Sequence, residues 1–414
     1  TYKYNPNGVS GNTTTSNMMN RDTNGQFRVF DTDTNGNPLA GSTEDNRAVA
    51  VIFAPGGALK PTGASAAQDR SSVAGTAACG GNYIAANYLE LFDANKNKLI
   101  DATEINNSMI SPTSSEVSNY VVGAGTDSNT PFNDKLVYIT RADIWNAIKK
   151  RSDFNNYLRA LTRLAAECTA RYGKENGKGY PDDKRLPWAS KVSLSTSSVP
   201  MYAVNARYDD DSSFTAGRGR LSFKVNTSRN KTNNNISSSI SDYGTNSAYL
   251  FTNSSYCSYT ADQKIWYENW KDQLFYAVAN RYDPGANDSP MDSCTSSTCL
   301  KINGAGNYAA VVIFAGDKLT NAAGQVTQPR SLATDKGTIA NYLDELTNPT
   351  SITADTGGGN YQAAATSSTF NDIVYAIDTN LAVKCYDPSS GTMVTPTTPT
   401  VAPPGDPKNY AACP

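Results

Sequence analysis

Residues 51–54 read Val-Ile-Phe-Ala, and the same four residues return at 312–315. Three further blocks follow each occurrence in the same order: Gln68-Asp69-Arg70 with Gln328-Pro329-Arg330, Asn87-Tyr88-Leu89 with Asn341-Tyr342-Leu343, and Phe132-Asn133-Asp134 with Phe370-Asn371-Asp372. Four matched blocks in one order indicate an internal duplication whose period is too long for a solenoid. We therefore expect Ile52 and Ile313 to occupy equivalent buried strand positions, and Tyr88 and Tyr342 to be equivalent as well.

Each copy contains an apolar, β-branched run that predicts a buried strand, Ala48 to Phe53 in the first copy and Ala309 to Phe314 in the second. Helical spacing of apolar residues predicts one long helix from 141 to 172, with Gly173 as its C-cap and an irregularity near Ser152-Asp153. Thr140 is its expected N-cap and Asp143 the carboxylate of a start that resembles a capping box. A second helix is predicted from Asp262 to Asn280. The fold class expected is therefore α+β: two related, β-rich modules with packed helices, stapled by disulfides.

The division into domains follows from the repeats and from composition. Residues 1–228 are expected to form the first module, which carries the long helix and an insertion. A Ser/Asn-rich loop or linker is expected at 229–245, and the second module at 246–387. Residues 388–414 are Pro/Thr-rich and are expected to form an extended tail tethered by a disulfide.

Charge and histidine content exclude several classes of function. Charged residues make up 18% of the chain and nearly cancel to a net charge of −2, which argues against nucleic acid or an anionic membrane as a partner. The chain contains no histidine, so Ser-His-Asp catalysis, Cys-His catalysis and ordinary zinc sites are excluded. Carboxylate, Lys, Tyr or hard-metal chemistry remains.

Seven cysteines occur without a Cys-x-x-Cys pair, which favours disulfides over a zinc ribbon or a redox motif. Cys294 and Cys299 flank a short polar loop, and Cys385 and Cys413 bracket the Pro/Thr-rich tail, so we expect these two pairs. Cys79, Cys168 and Cys257 would supply one further pair and one unpaired cysteine. Disulfides imply an oxidising compartment, either the periplasm or the cell exterior.

The sequence contains no run of 18 apolar residues, and its first residues do not read as a signal peptide. Since a secreted protein needs an export signal, we expect that an N-terminal segment has been removed or resides on another chain.

A calcium-binding loop of the EF-hand type is predicted between the Asn-Tyr-Leu and Phe-Asn-Asp blocks of the first copy. Its ligand positions 1, 3, 5, 7, 9 and 12 are occupied by oxygen-bearing groups, with the backbone carbonyl supplied at position 7: Asp93, Asn95, Asn97, Leu99, Asp101 and Glu104. Lys98 stands where such loops have glycine, at a cost of roughly 1 kcal/mol. A helix from Ile84 to Phe92 is expected to precede the loop. The alternative interpretation is a polar turn.

Other candidate sites are weaker. Asp31, Asp33 and Asn35 offer a second calcium cradle, although an Asx-rich hairpin turn at Asn35-Gly36 explains them better. Asp209, Asp210 and Asp211 could serve as paired carboxylates or a metal cluster. Because they are consecutive, on a strand their side chains would point to opposite faces, and a solvated turn explains them better. A group of aromatic residues at helical spacing suits a core better than a sugar-binding platform: Trp266, Trp270, Phe275 and Tyr276.

The repeated blocks, together with Leu186-Pro187-Trp188-Ala189, the segment Trp270 to Tyr276 and the segment Ala309 to Gly316, resemble the large type IV pilin-like, prepilin-type proteins of Gram-negative bacteria. The resemblance covers roughly Gly25 to Cys385. It implies a secreted, cell-surface subunit with globular β-rich heads that enters a filament or the pilus machinery, and it implies no catalytic activity. Proteins of this type begin with a hydrophobic helix, so a separate or missing helix of that kind is an expected partner.

The function expected is therefore structural, in the head of an extracellular pilus-like filament built from copies of this chain. Two alternatives remain. One is a minor pilin or tip adhesin present in few copies. The other is a secreted carbohydrate-binding protein or carbohydrate-active enzyme, for which the tryptophans would be exposed and two carboxylates would share a cleft.

Overall fold

A computed structural model describes the following residues: 20–22, 24–31, 37–60, 66–71, 84–92, 105–109, 117–123, 132–151, 153–176, 184–189, 192, 217–221, 224–226, 247–249, 257, 261–283, 294, 298–330, 335, 337–344, 359–397 and 413. These residues divide between two compact units. Unit 1 contains the described residues from Arg21 to Ile148, and unit 2 contains Asn20 and the described residues from Lys149 onward.

Unit 1 is built on a four-stranded sheet of β1 (Phe27–Asp31), β2 (Ala48–Ala54), β5 (Ser118–Val122) and β6 (Lys135–Thr140). The order of the strands in the sheet is β5-β1-β2-β6. Two short strands, β3 (Leu91–Phe92) and β4 (Ile105–Asn106), pair with each other as a separate antiparallel ladder. One face of the sheet is packed around Phe27, Val29 and Tyr120, and a smaller apolar cluster joins Val121 to Phe92 and Phe132.

Unit 2 contains a larger sheet and most of the helical residues. Its elements before the second copy of the repeat are α2 (Phe154–Asn176), β7 (Arg218–Arg220), β8 (Lys224–Asn226), β9 (Ser247–Tyr249), α3 (Ala261–Trp270) and β10 (Leu274–Val278). The remaining strands are β11 (Leu300–Ile302), β12 (Ala305–Phe314), β13 (Asn360–Tyr361), β14 (Ile373–Asp378), β15 (Val383–Asp387) and β16 (Thr392–Val394). The sheet order is β13-β11-β12-β14-β15-β16, with β10 between β12 and β7. The fold is α+β.

The two sheets share one topology, which confirms the duplication. The order β5-β1-β2-β6 in unit 1 matches β13-β11-β12-β14 in unit 2, and the first pair is parallel in both. Ile52 lies opposite Val137 across one ladder, and Ile313 lies opposite Val374 across the other. Ile52 and Ile313 are thus equivalent, but only Ile313 is buried, so the expectation of burial is wrong for Ile52.

The boundary between the units falls after Ile148 and not at 229–245, a segment outside the described part of the chain. The physical reason is packing. Helix α2 lies against β12 and β14, and β7 pairs with β10, so both α2 and β7 belong to the second sheet and not to the first module.

The predicted long helix consists of α1 (Arg141–Lys149) and α2, separated near the expected irregularity. Thr140 and Asp143 form the predicted reciprocal cap: the Asp143 amide donates to Thr140 Oγ1 at 3.2 Å, and the Thr140 amide donates to Asp143 Oδ2 at 2.8 Å. Gly173 is not a cap, since α2 continues to Asn176. A Cβ there would press on Leu186 and Leu381, so glycine permits close packing inside the helix.

The predicted helix from Asp262 to Asn280 is wrong beyond Trp270. The helical part is α3, a 3₁₀ turn covers Lys271–Gln273, and Leu274–Val278 forms β10. Every residue of β10 is buried, and a short apolar run buried on both faces has no periodicity that separates strand from helix.

Disulfides join Cys294 to Cys299 and Cys385 to Cys413, as predicted. The third pair is Cys168–Cys257, which ties α2 to a residue 89 positions further along the chain. Cys79 lies outside the described residues. The start of the predicted extended tail is a strand, because β16 pairs with β15 through a turn at Gly391.

Within the described residues, no helix combines the length and apolar character needed to cross a membrane.

Candidate functional site

The repeated blocks converge, in each unit, on one buried polar cluster at the end of the strand β2 or β12. In unit 2 its centre is the guanidinium of Arg330, which is fully buried. Arg330 donates to the carbonyls of Asn341, Gly316 and Tyr342 at 2.5, 3.0 and 3.2 Å, and to Gln328 Oε1 at 3.2 Å. Its cationic carbon lies 4.5 Å from the centroid of the Tyr342 ring. The arginine thus holds two separate segments by their backbones, one at Gly316 and the other at Asn341 and Tyr342.

Unit 1 repeats these contacts around Arg70. Arg70 donates to the carbonyls of Asn87, Gly56 and Tyr88 at 2.7, 2.5 and 3.3 Å, and to Gln68 Oε1 at 2.8 Å. The corresponding distance to the Tyr88 ring is 5.2 Å. The same backbone groups are held in both units, although Arg70 and Tyr88 are only half-buried.

The turns that carry the Asn-Tyr-Leu blocks are also alike. A 3₁₀ turn occupies Ala85–Asn87 in unit 1 and Ile339–Asn341 in unit 2, and the following tyrosine amide closes each turn at 2.9 and 2.8 Å. The helix predicted from Ile84 to Phe92 is therefore absent: that segment is one 3₁₀ turn followed by β3.

Each cluster also contains two buried carboxyl groups. In unit 1 the Glu90 amide donates to Asp134 Oδ2 at 2.8 Å, and the Asn133 amide donates to Glu90 Oε2 at 3.0 Å. In unit 2 the Asp344 amide donates to Asp372 Oδ2 at 2.9 Å, and the Asn371 amide donates to Asp344 Oδ2 at 2.5 Å.

A glutamine amide completes each of these arrangements. Gln68 Nε2 lies 3.3 Å from Glu90 Oε1, and Gln328 Nε2 lies 3.0 Å from Asp344 Oδ1. Each pair of acids therefore pins the Phe-Asn-Asp block to the Asn-Tyr-Leu block.

Burial and mutual repulsion raise the pKa of one acid in each pair. Desolvation is the main cause of the rise in the pKa of Glu90 to about 7, and the neighbouring Asp134 adds to it. Desolvation, followed by the charge of Asp344, raises the pKa of Asp372 to about 8. Two carboxyl groups at short range in the interior do not ionise together readily. Each cluster therefore loses a proton and becomes more negative as the pH rises through neutrality.

One glycine in each cluster allows an asparagine side chain to lie close to the backbone. A Cβ on Gly56 would overlap the side chain of Asn133, and one on Gly316 would overlap that of Asn371. The two asparagine amides donate to the carbonyls of Gly57 and Asp317 at 3.0 and 3.1 Å.

Taken together, the side chains of each cluster fix the backbone of the loops around them. The carboxyl oxygens accept mostly from main-chain amides, and the four acids lie in the interior, each at most 8% exposed: Glu90, Asp134, Asp344 and Asp372. The chemistry that this geometry supports is structural, with a proton gained or lost near neutral pH.

The predicted calcium loop, Asp93 to Glu104, lies outside the described residues. The segments on either side of it are β3 and β4, with Phe92 opposite Ile105. The loop is therefore closed by two antiparallel strands, in contrast to the two helices of an EF-hand.

The other candidates are only partly described. Asp31 ends β1, whereas Asp33, Asn35 and the residues Asp209 to Asp211 lie outside the described part. In that part of the chain, no group of three or more His, Cys, Asp or Glu is placed to hold a metal ion.

The aromatic group of unit 2 belongs to its core. Trp270, Phe275 and Tyr276 are each at most 3% exposed. Trp266 is half-buried and stacks between Tyr157 and Trp270, at centroid distances of 4.7 and 6.4 Å. This agrees with the sequence-based preference for core over a sugar platform.

Sequence reasoning noted the repeated blocks but missed the acids as a pair. The available signal was that a carboxyl residue follows each Asn-Tyr-Leu block, Glu90 in one copy and Asp344 in the other.

In comparisons of the chain with protein-family models, curated proteins and solved structures, nothing matched.

Proposed function

We propose that the chain is a non-catalytic structural subunit, the globular head of an extracellular type IV pilus-like filament. The observation that carries the proposal is the use of the repeated polar residues. In the blocks that resemble pilin-like proteins, the arginine, glutamine and acidic side chains form hydrogen bonds with main-chain groups, in the same way in both units. A binding or catalytic site would instead direct such groups toward a ligand.

Two further observations fit a protein displayed outside the cell. Three disulfides suit an oxidising compartment. The scarcity of charge, at 18% of residues, suits neutral contacts between neighbouring subunits that are rich in tyrosine and asparagine. In this proposal the subunit's partners are copies of itself and a hydrophobic pilin helix, and Ca²⁺ is bound by the loop from Asp93 to Glu104.

Immunogold electron microscopy of the native cells tests the proposal. Antibody raised against this chain should label cell-surface filaments continuously along their length. Label confined to filament tips would favour a minor pilin or adhesin. Protein found only free in the medium, with no labelled appendage, would contradict a role in a filament.

A further inference from the structure

Strand β12 of unit 2 has neighbours on both of its edges. Residues 310–314 pair with β14 on one edge and with β10 on the other, where Phe275 lies opposite Ile313. Tyr308 likewise pairs with Leu300 of β11 and with Asp378 of β14. Because β14 takes one edge from Tyr308 to Phe314, β10 and β11 share the opposite edge, one after the other.

The equivalent strand β2 of unit 1 is paired on one edge only for most of its length. Ala48 pairs with Phe27 of β1 and with Thr140 of β6, so β1 and β6 lie on opposite edges. From Ala50 to Ala54 the strand pairs with β6. On the other edge, where β10 lies in unit 2, no described residue pairs with this part of β2.

Two apolar side chains, one on β2 and one on the neighbouring β6, are uncovered on one face of this sheet. Ile52 is 59% exposed and its cross-strand partner Val137 is 66% exposed, whereas the equivalent Ile313 and Val374 are 5% and 6% exposed. In unit 2, Phe275 of β10 borders Ile313 on the same face of the sheet and packs against Tyr342 at 5.3 Å between ring centroids. For Ile313, the lower exposure thus coincides with the presence of β10 beside β12. Val374 lies on β14, which borders β12 and β15.

The composition of β2 gives its edge no protection against pairing. Its sequence, Ala-Val-Ala-Val-Ile-Phe-Ala, contains no charged residue and no proline. Natural proteins guard exposed edges with such residues, because an unpaired row of amides and carbonyls is a template for another strand. An unguarded edge beside exposed apolar side chains is characteristic of a surface that is covered in use.

We propose that the edge of β2 from Val49 to Ala54 accepts an extended, apolar strand contributed by another polypeptide chain. The strand runs antiparallel to β2, in the place that β10 takes in unit 2, and has an aromatic residue opposite Ile52. The chain's own β10 is not the donor, since it is buried between β12 and β7. This contact deepens the proposed filament role by naming how one partner docks, but its geometry does not depend on a filament.

A synthetic peptide with the sequence of residues 271–279, Lys-Asp-Gln-Leu-Phe-Tyr-Ala-Val-Ala, supplies a probe of the right chemistry. A fluorescent form of the peptide is titrated with the intact, disulfide-bonded chain, and binding is read as fluorescence anisotropy. We expect saturable binding that Ile52→Lys weakens by about tenfold or more, since the variant puts a charge beside the apolar strand. A peptide with Tyr276→Pro should not bind, because proline cannot donate to the ladder.

Val326→Lys is the matched control. Val326 is an exposed apolar residue of unit 2, at 47% exposure, and lies in a loop bridge to Thr320. Its change to lysine should leave peptide affinity unaltered. Absence of saturable binding, or equal binding by wild type and Ile52→Lys, would overturn the proposal.

Sedimentation of the chain without peptide tests whether a second copy of the chain occupies the edge of β2. Dimers of the chain that Ile52→Lys disperses would assign the edge to a second copy of β2 and overturn the assignment to a different strand. Since both measurements use the isolated chain, they are independent of the filament labelling: peptide binding without labelled filaments would reject the filament role alone.

Discussion

At the scale of single residues, one arginine per repeat organises the loops around it. Arg330 and Arg70 contact equivalent carbonyls, but Arg330 is fully buried and Arg70 is half-buried. A guanidinium reaches several acceptors at once through its planar fork, which the single ammonium of lysine cannot do. Because of this difference in burial, we expect the hydrogen bonds of Arg330 to contribute more to folding stability than those of Arg70.

Arg330→Lys should therefore destabilise the chain by about 2–4 kcal/mol, because several buried carbonyls lose their donor. Arg70→Lys should cost less than half as much, because water can replace part of what is lost. Thermal and denaturant unfolding of the two variants against wild type measures both effects. Equal costs for the two variants would contradict the burial argument.

The buried acids predict a loss of stability as pH rises. The pKa of Glu90 is raised to about 7 and that of Asp372 to about 8 in the folded chain. Because folding raises these pKa values, the folded state favours the protonated acids. The contribution is fully present below the unfolded pKa near 4 and is lost as pH rises through 7 to 8.

We expect the melting temperature to fall between about pH 5 and pH 9, and Glu90→Gln to make that slope shallower whatever its effect on absolute stability. Asp69→Asn is the control, since the pKa of Asp69 is lowered by hydrogen bonds from Ser71 and its titration lies below this range. A slope unchanged by Glu90→Gln would show that the Glu90 carboxyl ionises as it does in the unfolded chain.

At the scale of elements, the hairpin of β3 and β4 replaces the helix expected before the calcium loop. Phe92 packs against Phe132 at 5.6 Å between ring centroids, so the base of the loop is attached to the core of unit 1. A loop clamped at its base loses less conformational entropy when it binds an ion than a free loop does. Ion binding by this loop would therefore stabilise unit 1 directly.

Chelation of calcium should then lower the melting temperature, and Glu104→Gln should abolish the difference. Saturation at a hundred times the dissociation constant corresponds to about 2.7 kcal/mol. Differential scanning calorimetry with and without Ca²⁺ measures it, with Asp31→Asn as a control for the weaker site. Identical melting with and without Ca²⁺ would reduce the loop to a polar turn.

At the scale of the whole molecule, a sparsely charged chain is expected to form contacts that salt affects little. The charged fraction is 18% and the net charge is −2, so there are few interactions between charged residues for salt to screen. The filaments that we propose for this chain should keep their length distribution when salt is raised from about 0.05 to about 0.5 M, in negative-stain images of sheared preparations. Dissociation at high salt would point to ion pairs across the interface.

What the sequence by itself determined is mostly local or repeated. The matched blocks predicted the shared topology, the Thr140 and Asp143 pair predicted the helix start, and the loop-flanking cysteines predicted two disulfides. Each of these signals is contained in a few adjacent residues, or in two copies that can be read side by side.

The tertiary structure decided which apolar runs are covered and which acids meet. Ile52 and Ile313 have the same local sequence, yet only Ile313 has β10 beside its strand, and β10 itself reads equally well as helix. Glu90 and Asp134 are 44 residues apart in the chain and become neighbours only when two loops close. Burial and electrostatic coupling depend on elements distant in sequence, so no local pattern of residues contains them.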